Sequence, residues 1–168
     1  MQSQSHLKVL QAAQMRVVDS KTILRQHISA SDLMERAAQA CVKWLLEWKP
    51  LRQPIHIFCG LGNNGGDGLA ITRFLRERGI IAIAYVIHYD GTISADAQEQ
   101  TTRLHNTCGE ALHAIKTVHD FPVLTSDCLI IDALLGSGTT RPPSGLLAAT
   151  ITKINQSGAC VVAIDLPS

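Results

Sequence analysis

The stretch Phe58–Leu75, FCGLGNNGGDGLAITRFL, puts five glycines into the nine residues from Gly60 to Gly68 and interleaves them with two asparagines and an aspartate. The residues just before it, PIHIF (54–58), read as a buried strand, and those after it, LAITRFLRERG (69–79), read as a helix. A linker has no need of such well-formed neighbours. The glycines therefore belong to a strand-to-helix turn, which is where α/β proteins place phosphate and nucleotide sites.

Outward from this turn the pattern is regular. On the N-terminal side, residues 7–20 and 31–48 read as helices. The second is capped by Ser31 and has Leu33, Met34, Ala37, Ala38, Cys41, Leu45 and Trp48 on one face, and Pro50 and Pro54 close this helical preface. Strand 55–59 is followed by helix 66–78, strand 80–87, helix 94–107, a weaker strand near 111–116, strand 128–135, helix 143–156 and strand 160–165. Short apolar runs separated by amphipathic helices imply parallel strands with right-handed crossovers. The expected architecture is α/β, a Rossmann-like, doubly wound, mainly parallel sheet in a three-layer α-β-α sandwich. It forms one domain over 1–168, with the preface at 1–50 and the core at 54–168.

The composition agrees. The 168 residues suffice for one domain with a proper core, and 46% are apolar against 17% charged. A formal net charge of +1 gives no electrostatic case for nucleic acid or an anionic membrane surface. Cys41, Cys59, Cys108, Cys128 and Cys160 show no C-x-x-C pair, so they read as small buried hydrophobes in a reducing compartment. The N-terminus lacks the basic start and apolar run of a signal peptide, and the longest strongly apolar run, IIAIAYVI (80–87), is far too short to span a membrane. A cytoplasmic protein without a membrane partner is expected. The histidines form no cluster, and Trp44 and Trp48, one helical turn apart, read as core or as a dimer face.

Ligands of open parallel sheets bind beyond the carboxyl ends of the strands. Three such ends carry unusual residues: Gly60–Gly68 with Asn63, Asn64 and Asp67; IDALLGSGTTRPPSG (131–145) with Asp132; and AIDLPS (163–168) with Asp165 and Ser168. A carboxylate at a strand end is costly to bury without partners. Three aspartates and an asparagine pair at one sheet edge indicate a polar site for a cation or a sugar-like ligand. Gly60-x-Gly62-x-x-Gly65 also satisfies the dinucleotide fingerprint. However, Asn63 and Asn64 put amide side chains where backbone usually meets the diphosphate, and Asp90 sits late for the ribose-binding acid. Nucleotide binding is expected and hydride transfer is not.

GNNGGDGL (62–69) after a strand, IDALLGSG (131–138), RPPSG (141–145), AIDLPS (163–168) and LMERA (33–37) together resemble the YjeF N-terminal domain family, the NAD(P)H-hydrate epimerases of metabolite repair. The resemblance implies that Asn63, Asn64, Gly65, Gly66 and Asp67, with Gly136, Ser137, Gly138, Thr139, Thr140, Arg141, Pro142 and Asp165, bind the hydrated nucleotide. It implies that Asn64, Asp132 and Ser168 hold one potassium ion per subunit, and that no redox cofactor takes part because the nucleotide is the substrate. Asp165 is the expected acid–base residue, with Asp67 organising its loop. The implied partners are the small-molecule nucleotide, a dehydratase domain or protein that uses the S hydrate, and a second copy in a homodimer. The family's domain continues past Ser168, so its C-terminal part is expected to be absent from this chain. The competing classes are a non-catalytic nucleotide-binding or dimerisation scaffold and an oxidoreductase, and the presence of Asp67, Asp132 and Asp165 together favours the enzyme.

Overall fold

The computed structural model describes residues 10–48 and 54–168. The first helix, α1 (Ala12–Gln26), and the second, α2 (Ala30–Trp48), precede β1 (Ile55–Cys59), α3 (Asn63–Glu77), β2 (Ala82–Ile87) and α4 (Ala95–Cys108). The chain then runs through β3 (Leu112–Ile115), β4 (Leu129–Ala133), α5 (Gly145–Gln156) and β5 (Cys160–Ala163). All five strands are parallel, in the order β3-β2-β1-β4-β5. Helices α3 and α4 connect strands on one side of β1, and α5 connects strands on the other. Right-handed crossovers running in opposite directions put these helices on opposite faces, so the sheet is doubly wound.

Strand β1 is wholly buried, as a central parallel strand must be. One apolar core lies between the sheet and α2, α3 and α4, including Ile55, Ile57, Leu69, Ile71, Ala84 and Leu104. The other lies between the sheet and α5, with Phe58, Tyr85, Ile130, Leu147 and Ile154. Cys59 is level with Val86 on one side and Ala133 on the other, and Asp132 is level with Phe58 and Ala163. The loops that leave β1, β4 and β5 therefore emerge side by side.

Several boundaries differ from the expectation. The glycine-rich segment is not a loop as far as residue 65, because α3 already begins at Asn63. Helix α1 covers 12–26 rather than 7–20 and buries no residue. The expected start at 7–9 and Pro50 lie outside the described residues. Helix α2 is capped by Ser29, whose hydroxyl accepts the Asp32 N–H at 3.0 Å while Asp32 accepts the Ser29 N–H at 2.9 Å. Ser31 is instead buried under Gln100, which donates to it. The buried face of α2 is Ser31, Met34, Ala38, Val42 and Leu45. Ala37 and Trp48 point outward, and Trp48 stacks on Trp44 at a ring separation of 5.1 Å. The cysteines are all free. Cys59 and Cys128 are buried as expected, whereas Cys160 on the outermost strand is exposed.

Candidate functional site

The first turn of α3 is wedged between the ends of β1 and β4. Gly60 donates to the Ala133 carbonyl at 3.0 Å, and a Cβ on Gly60 would stand 2.0 Å from the Leu134 carbonyl oxygen. A Cβ on Gly65 would stand 1.9 Å from the Gly60 carbonyl oxygen, so only glycine allows the helix to start this close to the strand. A Cβ on Gly66 would meet the flexible end of Met34 at 2.9 Å and the Ala97 Cα at 3.2 Å, a looser fit. These glycines serve packing. At Gly62 and Gly138 nothing lies within 4 Å of an added Cβ, and these two face open space.

The wedge brings Asn64 to the ends of β4 and β5. Its amide nitrogen donates to the Leu135 carbonyl at 2.6 Å and to the Ile164 carbonyl at 3.1 Å. Two carbonyl acceptors fix which amide atom is nitrogen. The other atom, Oδ1, is thereby buried with no hydrogen-bond partner. Asp132, the buried fourth residue of β4, accepts the Leu134 N–H and the Ser168 hydroxyl on Oδ1 and the Ser168 N–H on Oδ2, at 3.1, 2.9 and 2.9 Å. The Ser168 hydroxyl also accepts the Leu135 N–H at 3.2 Å. Asn64, Asp132 and Ser168, distant in sequence, are thus tied into one cluster.

Asp165 stands at its open side. It has φ +64°, and the Leu166 N–H donates across it to the Ile164 carbonyl at 2.9 Å, forming the rare, strained γ-turn. The Ser137 N–H donates to the Asp165 carboxylate at 2.6 Å, joining the β4 and β5 loops. Asp67, one turn into α3, is half-buried, and its pKa is raised to about 7 by burial first and then by the negative charges of Asp165, Asp96 and Asp19. It retains a proton near neutrality, which ordinary carboxylates do not.

Beside this cluster a cavity of about 640 Å³ is lined by Leu135, Thr139, Thr140, Arg141, Pro142 and the start of α5, facing His88, Tyr89 and Asp90 beyond β2. The structure thus gathers Asn64, Asp132, Asp165, Ser168, Gly136 and Ser137 at one point and sets Thr139–Pro142 along the adjoining wall. Asn63 is exposed at the start of α3, whereas Gly65 and Gly66 are held in the packing. Sequence reasoning missed His88 and Tyr89. Their position directly after a strand, in the stretch HYD (88–90), is the same signal that marks the other three strand ends.

Residues 30–168 match the family model described as YjeF-related protein N-terminus. The chain belongs to that family. Among its relatives, the "NAD(P)H-hydrate epimerase" of Limosilactobacillus fermentum is 38% identical over 96% of this chain and 74% of its own length. The protein of the same name from Rhodobacter capsulatus is 33% identical over 96% of the chain and 76% of its own. The "Bifunctional NAD(P)H-hydrate repair enzyme Nnr" of Coxiella burnetii is 37% identical over 84% of the chain but only 28% of its own length, so there the YjeF-related unit is one part of a longer protein. The crystal structure of yeast ynu0 superposes with a TM-score of 0.78 over 96% of the chain and 71% of its own at 19% identity, which establishes the shared fold. The YjeF-related match begins after α1. Among the described residues no helix is long and apolar enough to cross a membrane.

Proposed function

We propose that the chain is an isomerase that interconverts the R and S hydrates of NADH and NADPH, the activity named in its relatives. The observation that carries the reading is the convergence of Asn64, Asp132, Asp165 and Ser168, from three chain segments, beside a cavity of about 640 Å³ whose lining residue Leu135 bonds to both Asn64 and Ser168. The hydrate carries a hydroxyl on the ring carbon beside the nitrogen. Asp165 donates a proton to that hydroxyl, which leaves as water while the nitrogen lone pair forms a C=N bond. Water then adds to the opposite face and returns a proton to the Asp165 carboxylate. Nothing is oxidised, and no redox cofactor is needed. Asp67, which burial keeps protonated to about pH 7, organises the loop at the start of α3. The open N–H groups at the start of α3 and the Arg141 side chain receive the diphosphate.

The buried, unpartnered Oδ1 of Asn64, the Asp132 carboxylate and the Ser168 hydroxyl form an all-oxygen donor set that fits one potassium ion per subunit. Such an ion supplies positive charge against the aspartates. The protein acts in the cytoplasm as a homodimer, to which we assign the exposed Trp44–Trp48 pair, and supplies the S hydrate to a dehydratase domain or protein.

The test starts from pure R hydrate and follows the appearance of the S form above the spontaneous rate. Asp165→Asn keeps shape and hydrogen bonding but ends proton exchange, so the rate should fall ~10²–10⁴-fold with nucleotide affinity little changed. Exchange at the wild-type rate would reduce Asp165 to a turn residue.

A further inference from the structure

A second cavity, of about 430 Å³, lies at the carboxyl ends of β2 and β3 against the first turns of α4. Its lining is largely apolar, with Leu61, Val86, Ile93 and Leu112, and Gln98 and Thr101 add polar groups on the helix side. It shares His88 and Tyr89 with the larger cavity, so the two form one trough across the sheet edge. Tyr89 is held between them, its hydroxyl accepting the Leu61 N–H at 3.3 Å. A third cavity, around Arg76, Ile80 and Cys108, opens at the amino ends of the strands and cannot join this trough.

We propose that the cavity beside α4 is the adenine subsite of a dinucleotide that spans the trough. The proposal rests on the nucleotide reading above and adds where the far half of the substrate goes. A dinucleotide lies across the point where strand order reverses, with one half on each side. Here that point is between β1 and β4. Asp132 and Asp165 claim the reacting ring for the β4–β5 side, which leaves the β1–β2–β3 side for adenosine. From β4 to midway between β2 and β3 is two and a half strand spacings, about 12 Å. The ribose–diphosphate–ribose bridge, about a dozen bonds each advancing ~1.2 Å when extended, covers that distance. An apolar slot of this volume suits a flat base. The Thr101 hydroxyl donates to the Ala97 carbonyl at 2.8 Å, so its lone pairs are directed away from the backbone to accept from an exocyclic amine.

The test compares the hydrated dinucleotide with hydrated reduced nicotinamide mononucleotide, which lacks adenosine. Thr101→Phe fills the cavity and Thr101→Ser leaves it open. The ratio of kcat/KM for dinucleotide over mononucleotide should fall about tenfold or more in Thr101→Phe, the usual loss when an apolar pocket changes by one group, and should hold in Thr101→Ser. Adenosine monophosphate should bind the wild type, perturbing the His88 ring resonances, and should fail to bind Thr101→Phe. If Thr101→Phe does not fold, Ala114→Trp on the exposed rim takes its place. An unchanged ratio together with unchanged binding of adenosine monophosphate would overturn the subsite. Wild-type protein that binds adenosine monophosphate at His88 but exchanges neither hydrate would sink the epimerase reading and leave the subsite standing.

Discussion

Asp67 sets a pH dependence opposite in sign to that of Asp32, Glu35, Glu110 and Asp120. Its pKa lies at about 7 in the fold against 3.8 for the free group, so the unfolded chain releases this proton first. The stability associated with neutral Asp67 is complete below about pH 4 and is lost as pH rises to about 7, a penalty on the order of a few kcal/mol. Glu35, Asp120 and Glu110 have lowered pKa values and act with the opposite sign, but their titration is over by about pH 5. Thermal unfolding should therefore show the wild type losing stability between pH 5 and 8 while Asp67→Asn does not. Parallel pH profiles would remove the special status of Asp67. Two neighbouring glycines make a second contrast at this scale. Gly65→Ala drives a methyl into the Gly60 carbonyl and should cost about 3 kcal/mol or more. Gly62→Ala, at φ −86° with nothing within 4 Å, should be neutral or stabilise by about 0.5 kcal/mol in denaturant titration.

At the scale of elements, α2, α3 and α4 are clamped by one carboxylate. Glu35 accepts from Arg73 on α3, from Arg103 on α4 and, at 3.4 Å, from Gln100. Arg73 is buried, and its Nε already lacks a partner. Glu35→Gln leaves Arg73 with Glu77 and Arg103 with Glu99, so it should cost about 1–2 kcal/mol in equilibrium unfolding, whereas removing the exposed Lys43–Glu47 pair should cost under about 0.5 kcal/mol. This clamp shows what the sequence concealed. LMERA (33–37) was legible as a motif, but the role of its glutamate depends on two arginines and a glutamine from other helices. Strands β1, β2 and β4 were legible because parallel burial makes them continuous apolar runs. The start of α3 was not, since asparagine and glycine are poor helix formers and only tertiary packing on Gly60 overrides that preference. Ser29 hid behind Ser31 because both are capping residue types just ahead of the apolar run, although only Ser29 has an acid, Asp32, three residues on.

Across the whole molecule, the alternation of strands and helices disclosed the doubly wound sheet, and the sheet disclosed the edge where the site lies. What stayed hidden was the division of that edge into two joined cavities, because it depends on how far the His88–Ile93 loop folds back over Leu61. Helix α1 lies against this body through α2, where Arg36 donates to Gln26, but buries no residue. Removing residues 1–27 should shift the midpoint of thermal unfolding by only a few degrees, and amide exchange should open α1 well before β1. Equal protection of α1 and β1 would show that α1 is covered by something else, the partner copy first among the possibilities.

The two hydrogen bonds of Asn64 have a consequence for synthesis. The second reaches Ile164, one hundred residues further along the chain. At about 5–20 residues per second, the ribosome leaves that amide waiting roughly 5–20 s for its acceptor. In the last third of that interval β4 has been made but has no outer neighbour, and Asp132 has no Ser168 to neutralise its burial. A nascent chain arrested once β4 has emerged from the exit tunnel but β5 has not should accordingly bind ribosome-associated chaperones strongly, and release from them should coincide with the emergence of Ser168.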